Sequence, residues 1–513
     1  MVDPDLILDV LVVGGGPTGS ALAIDLARRG LRIRIIEKNA HSFPGSRAKG
    51  LQPRTLEVLD DLGVVADALA AGDLYPQLGI HLGPLVIPRR MYKTRKATSD
   101  IPYPNTLLIP QFETDALLHR RLAALGVRVE FNAKLKAFVE TDEGVQATVE
   151  HPGGEETITC RYMVGADGGA SSVREHLRIG FPGRTDETDR MIIVDCEVDG
   201  LSRDYWHAWP GGGGRFTVAC PLPHGDLFQW MIRLRPGEEP RLDEAALNQR
   251  VRDHTRSKKL RLHDIRWTSV FRPNIRLADH YRQGRVFLAG DAAHVHTPAG
   301  AQGLNTGVQD AYNLGWKLAQ ALSGAPEKLL DSYEAERQPV AARVLGMSTQ
   351  KYEAMNRSGA EASKRGADEQ QLGITYRSGP LADGGALTST LAVGDRAPDA
   401  ALTGPHGAPV RLFDVFRGPH FTAISLGAAA AQDLSRLAWP TKGAGLKRVA
   451  IDPGSVVETD VVLRDAGKTF ASACGLTGDA LILVRPDGYI AQIARDDRVD
   501  AIARASARLT PPL

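Results

Sequence analysis

The hydrophobic pattern opens with a short aliphatic run, Ile7-Leu8-Asp9-Val10-Leu11-Val12-Val13, which breaks abruptly into glycine. A run this short and this apolar, bounded by turn residues, predicts a strand buried on both faces, as in a parallel sheet. From Ser20 to Arg29 the spacing becomes helical and stops at Gly30. A second strand is expected over Leu31 to Ile36, ending in Glu37, and a helix from Pro53. Helical spacing returns after Gln111 and gives way to a strand at Val127 to Phe131. Strand signals follow at Ala137–Glu140, Gln146–Glu150 and Thr157–Val164, the first two joined through Asp142-Glu143-Gly144. Between Phe181 and Arg272 strand-like runs hold most of the tryptophans, with Trp209 to Arg215 read as a loop. Arg285 to Ala289 predicts another buried strand, with helices through Leu322 and from Pro326 to about Met355. The last portion reads β-α-β-α-β-β-α, with strands at Phe421–Leu426, Val449–Asp452, Ala480–Arg485 and Tyr489–Ala494.

The first strand, its glycines and its helix suggest chemistry. Gly14, Gly16 and Gly19 form G-x-G-x-x-G. The first glycine permits a tight turn, the second lets a pyrophosphate approach the backbone, and the third lets the helix pack against the strand. The helix N-terminus offers free N–H groups and a positive dipole end to phosphates. Glu37 stands at the end of the second strand, where a ribose-binding carboxylate belongs. A second loop, Gly300 to Asn305, opens a helix and exposes backbone N–H groups. Asp291, at a strand's carboxyl end, is suited to accept hydrogen bonds from sugar-like hydroxyls. His294 and His296 have no third ligand nearby, so no metal is expected.

Composition narrows the field. The 513 residues suffice for several cores, and 62 basic against 61 acidic residues make no electrostatic case for nucleic acid or an anionic membrane. Cys160, Cys196, Cys220 and Cys474 show no C-x-x-C spacing, which argues against a disulfide scaffold or zinc site and suits a reducing cytoplasm. No signal peptide or membrane-length apolar run is read, so the expected location is cytoplasmic.

Three motifs in order, GGGPTG (Gly14–Gly19), GADGGASSVR (Gly165–Arg174) and GRVFLAGDAAHVHTPAGAQGLNTGVQDAYNLGWKLA (Gly284–Ala319), give the chain a family resemblance. It resembles the group A flavoprotein aromatic hydroxylases of the para-hydroxybenzoate hydroxylase fold. Within them it is most similar to the actinomycete polyketide and antibiotic hydroxylases and phenol hydroxylase-like enzymes with a thioredoxin-like tail. The implied fold class is α/β: a Rossmann-like FAD-binding domain of the GR2 type, an inserted antiparallel substrate sheet, and a C-terminal thioredoxin-like domain. The corresponding division is FAD binding at 1–75, 105–180 and 273–355, a substrate-side excursion at 76–104, and the substrate sheet at 181–272. A connecting segment at 356–390 and the tail at 391–513 complete it. The tail lacks C-x-x-C at Gly427-Ala428-Ala429-Ala430, so no thiol redox role is expected.

The resemblance implies non-covalent FAD, held by Gly14, Gly16, Pro17, Thr18 and Gly19 at the pyrophosphate and by Glu37 and Lys38 at the adenosine ribose. Arg47 and Gln111 match positions touching the phosphate and ribityl region, Asp291 the ribityl hydroxyls, and Gly303, Leu304 and Asn305 the flavin end, with Pro298 a further cofactor-binding position. Asp167 and Arg174 fall in a motif associated with FAD and with transient docking of NADPH or NADH. The implied reaction is hydroxylation of an electron-rich small aromatic substrate by O2 through a flavin C4a-hydroperoxide. Trp206, Trp209, Phe228 and Trp230 are candidate walls for that flat ligand. No catalytic acid or base is assigned, and a homodimer is the oligomer considered. Baeyer–Villiger insertion into a polycyclic ketone and ligand binding without oxygenation are the alternatives. A flavin halogenase is disfavoured because Trp209-Pro210-Gly211 lacks that branch's tryptophan-rich signature.

Overall fold

The computed structural model describes residues 7–83, 85–91, 93–211, 216–297, 300–358, 368–382, 388, 390–455 and 457–513. At its centre the strand Leu8–Val13 lies between Ile33–Glu37 and Gly154–Gly165, parallel to both, with Val12 opposite Ile35 and Val164. Val129–Phe131 and Val286–Leu288 extend the parallel set outward on either side. Val10, Leu11, Val12, Ile35, Met163 and Val164 have no exposed surface, which is why these runs lack polar alternation. Lys134–Thr141 and Gly144–His151 join by antiparallel pairing and make this an eight-stranded sheet.

Helix Pro17–Ala27 packs against helix Gly303–Leu322 at unusually short range. A Cβ at Gly307 would lie 2.3 Å from Thr18 Oγ1, and one at Gly315 would lie 2.3 Å from Asp25 Oδ2. Side chains at those two positions would therefore force the helices apart.

A seven-stranded sheet runs in the order Arg261–Phe271, Met191–Asp199, Leu227–Arg233, Phe216–Pro221, Tyr205–Pro210, Gln77–Leu82, Leu85–Arg89. The 76–104 excursion thus supplies its last two strands. Trp209 and Pro210, read from the sequence as loop, close the fifth strand, and Trp209 pairs with Thr217. Helix Glu244–Thr255 covers one face, contributing Leu247 and Val251 to a core with Ile192, Val194, Phe228 and Trp230.

The tail forms a five-stranded mixed sheet ordered Val461–Leu463, Leu446–Ile451, Phe421–Leu426, Ala480–Val484, Ile490–Ala494. The first three strands are parallel and the last two antiparallel, as a thioredoxin-like unit requires. Val461–Leu463 falls where the sequence reads as irregular, because three residues carry too little periodicity to register. The segment before the tail is more than a tether. Ile374 and Tyr376 are buried with Val340, Val344 and Tyr489. No described helix is long and apolar enough to cross a membrane.

Candidate cofactor site and active site

The glycine loop has the shape its sequence demands. Gly14 has φ +114°, and a Cβ there would sit 2.3 Å from the Ala166 carbonyl oxygen. A Cβ on Gly19 would come within 1.9 Å of the Gly14 carbonyl oxygen, whereas one on Gly16 would meet nothing within 4 Å. Gly16 therefore borders open space at the start of helix Pro17–Ala27. That helix has no side-chain cap and no acid in its first turn, which leaves its N–H groups for an anion. His119 Nε2 (2.8 Å) and Ser20 Oγ (3.1 Å) donate to the Gly15 carbonyl and fix the loop. Glu37 Oε2 accepts the Gly15 N–H at 3.0 Å, and its Oε1 accepts the Asn39 N–H at 2.9 Å. The expected ribose carboxylate thus also closes the glycine turn. Thr18 is wedged where a Cβ on Gly290 or Gly307 would strike it, and Lys38 is exposed. Gln111 begins helix Gln111–Ala124 beside Asp115. Burial raises the Asp115 pKa to about 8, a hydrogen bond from Gln111 opposing, and its Oδ1 has no partner among the described residues.

The second loop is held from behind. Asp310 accepts hydrogen bonds from the Gly290 N–H (3.1 Å), His294 Nε2 (2.6 Å) and Arg337 Nε (2.7 Å). Burial works to raise its pKa, but Arg337 and His294 outweigh it and keep the carboxylate ionised. Arg174, stacked 3.8 Å over Phe181, donates to the carbonyls of Ala292 (2.8 Å) and Gly169 (2.9 Å). Asp167 Oδ2 accepts from the Ser172 N–H and Oγ at 2.8 and 3.0 Å, capping helix Ser172–His176. Asp167 and Arg174 are thus brought together as the scaffold of the Asp291 loop, the one capping a helix and the other clamping a carbonyl.

Asp291 is different. Its side chain is solvent-accessible, and none of its oxygens has a hydrogen-bond partner among the described residues. Desolvation by the surrounding protein nevertheless raises its pKa, with His294 and Arg47 pulling the other way. A Cβ on Gly303 would come within 3.8 Å of Asp291 Oδ1, so the carboxylate lies beside the start of helix Gly303–Leu322. Asn305 ties that start to the loop before Pro53: its Oδ1 accepts the Gln52 N–H (2.8 Å) and its Nδ2 donates to the Gly50 carbonyl (2.8 Å). Leu304 is half-buried, Arg47 lies 5.2 Å over the Phe43 ring, and Pro298 is outside the described residues.

The aromatic candidates of the seven-stranded sheet separate by strand alternation. Trp209, Phe228 and Trp230 pack into the sheet's core under helix Glu244–Thr255, with Trp209 and Trp230 stacked at 5.4 Å. They are structural core, on the face of the sheet opposite Trp206. Trp206 is on the other face, 5.7 Å from Tyr75 and 4.8 Å below the Lys49 ammonium. The same face carries Asp195, which accepts the Ser46 N–H (2.6 Å) and Oγ (2.5 Å), and Gln229, which donates to the Ser46 carbonyl at 2.9 Å and bonds Lys49. Sequence reasoning missed Ser46, Lys49, Asp195 and Gln229. The partners are separated by 149 or more positions, and a polar residue on the inner face of a strand was the only available signal.

Residues 7–348 match the family described as FAD binding domain. The chain belongs to that family. It is 41% identical over 500 residues to a flavin-dependent monooxygenase of Mycobacteroides abscessus, covering 96% of this chain and 98% of the relative. It is 32% identical over 514 residues to the 12-dehydrotetracycline 5-monooxygenase/anhydrotetracycline 6-monooxygenase of Streptomyces rimosus, covering 94% of each. A solved ternary complex of aklavinone-11 hydroxylase with FAD and aklavinone superposes with TM-score 0.80 at 26% identity, covering 99% of both chains. The chain is accordingly an FAD-dependent monooxygenase. The residues present fit FAD: an open glycine turn at a helix N-terminus, an unpartnered carboxylate at Asp291, and a second uncapped helix start at Gly303.

Proposed function

We propose that the substrate is a polycyclic phenol, hydroxylated on the ring, and that it lies between the Gly300–Asn305 loop and the inner face of the seven-stranded sheet. The observation carrying this reading is the two-faced sheet. Its inner face sets the Trp206 ring against Tyr75 and a buried lysine, and Gly50, next to that lysine, accepts a hydrogen bond from Asn305 at the start of the Gly303 helix. A flat, amphipathic wall of this kind suits a fused aromatic ring bearing an acidic hydroxyl. The names of the tetracycline and aklavinone relatives support the same substrate class.

Within this reading Gly14–Gly19 hold the pyrophosphate, Glu37 the adenosine ribose, Arg47 and Gln111 the phosphate and ribityl region, and Asp291 the ribityl hydroxyls. The uncapped N–H groups at Gly303, Leu304 and Asn305 stabilise negative charge at the flavin end. Bound FAD, once reduced, supplies the oxygen-activating chemistry, so the protein needs no nucleophile of its own. Its residues orient the ring and exclude water. The test is turnover of anhydrotetracycline with NADPH and 18O2, read by mass spectrometry. One labelled oxygen on an aromatic or quinol carbon is expected. A labelled lactone would replace this reading with Baeyer–Villiger insertion, and peroxide alone would leave a ligand-binding role.

A further inference from the structure

Lys49 is 8% exposed, and its surroundings are unusual for a buried cation. Its ammonium bonds the side-chain oxygen of Gln229 and lies over Trp206. Among the described residues no carboxylate forms an ion pair with it. The titratable groups whose charge reaches it are Cys220 and Asp195. Neither neutralises it at close range. Burial pushes the Cys220 thiol up to about 11, so it stays protonated, and Asp195 accepts its hydrogen bonds from Ser46 and makes none with Lys49. Gln229 Nε2 donates to Ser46 and the Tyr75 hydroxyl donates to the Lys49 carbonyl at 2.9 Å, while Trp206 Nε1 has no hydrogen-bond partner among the described residues. A largely buried three-donor group with one hydrogen-bond acceptor among the described residues is costly unless a ligand completes it.

The position is as telling as the valence. Gly50, the next residue, gives its carbonyl to Asn305 Nδ2, and a Cβ on it would lie 3.0 Å from the Ala301 Cβ. Lys49 therefore bridges the loop beside the flavin end and the sheet face that carries Trp206. Burial lowers its pKa, which favours the neutral amine, and a neutral amine is a proton acceptor.

We infer that Lys49 takes the phenolic proton of the substrate and holds the resulting phenolate, an assignment resting on the polycyclic-phenol reading above. The substrate O–H bond breaks, an N–H bond forms on Nζ, and the electron pair stays on oxygen, where it enriches the ring that is to be hydroxylated. The product is an ammonium–phenolate pair whose charges balance inside the protein, and it lies over the Trp206 face.

The test uses FAD-loaded protein and two probes, 1,8-dihydroxyanthraquinone, whose visible band moves to the red on ionisation, and its dimethyl ether. With wild type, the hydroxy compound should bind about tenfold or more tighter than the ether, one pKa unit of differential interaction. Its band should be red-shifted at pH values below its own pKa in water. Lys49→Met should abolish the red shift and the discrimination while FAD content and melting temperature are retained. A red shift surviving in Lys49→Met, or equal binding of the two probes by wild type, overturns the assignment while leaving the monooxygenase reading to its 18O2 test. If wild type binds neither probe, the polycyclic-phenol reading falls and the assignment with it.

Discussion

The two ends of helix Gly303–Leu322 meet the rest of the molecule in opposite ways. Along its middle and C-terminal half, charges are buried and answered. Lys317 Nζ donates to Glu336 Oε2 and Asn313 Oδ1, each at 2.8 Å, and Arg485 spans Glu336 and Asp487, reaching Glu336 at 2.7 Å. Burial works to raise the Glu336 pKa, yet Arg485 and Lys317 outweigh it and hold it at about 2. At the N-terminal end, outside the paired Asp310–His294–Arg337 cluster, Asp291 and Lys49 have no ion-pair partner among the described residues. Asp291 and Lys49 are both shifted towards their neutral forms by desolvation. Glu336 and Asp291 are both carboxylates in confined surroundings, and only the supply of partners differs. Satisfied charges weld the tail to the FAD-binding unit, and unsatisfied ones mark where something else must bind.

The comparison is broken most forcefully at the tail. Arg485→Met removes the shared partner of Glu336 and Asp487, and leaving these carboxylates under-compensated should cost about 3–5 kcal/mol in urea unfolding. An unaffected midpoint would show that the junction carries no weight. Next in size is Asp291→Ala. It should weaken FAD by the loss of charge-assisted hydrogen bonds, about 1.5–3 kcal/mol each, in a titration of apoprotein. The apoprotein itself should lose no stability, since Asp291 has no protein partner to abandon. FAD-dependent thermal stabilisation should shrink with the affinity.

A smaller effect separates Asp115 from both groups. Its pKa is about 8 in the folded protein against 3.8 ordinarily. The folded state therefore binds the proton more tightly, so the contribution is fully present below about pH 4 and is lost as pH rises through 8. Unfolding of apoprotein at pH 6 and pH 9 should show that loss, and Asp115→Asn should flatten it. The smallest effect is expected at Cys474, buried in the tail core with its thiol pushed up to about 12. Cys474→Ser should cost about 1 kcal/mol of stability and leave NADPH-coupled turnover unchanged.

What the sequence disclosed divides along the same line. The glycine turn, the flanking parallel strands and the place of Asp291 just after a strand's carboxyl end were legible, because each rests on local rules of spacing and backbone conformation. The tail's strand order was legible apart from Val461–Leu463. The roles of Asp167 and Arg174 were not, since a motif names residues without saying which atoms they reach. Trp209, Phe228 and Trp230 looked like a pocket wall, and only the pleat shows that they face the opposite side from Trp206. Lys49 stood in a loop with no periodicity, and its environment exists only once Gln229, 180 positions away, folds over it. The junction was equally hidden: Arg54, Glu57 and Arg396 form one buried network, spanning 339 residues between Arg396 and Glu57.

The most direct measurement is a crystal structure of the FAD-loaded protein. The central claim is that the unanswered groups at the N-terminal end of the Gly303 helix, and the open turn at Gly16, are the cofactor's contacts. The expected result has the pyrophosphate against Gly16 and the Pro17 helix start, ribityl hydroxyls on the Asp291 carboxylate, and the flavin end at Gly303–Asn305. An FAD seated elsewhere, or one that leaves Asp291 without a hydrogen bond, would contradict the account.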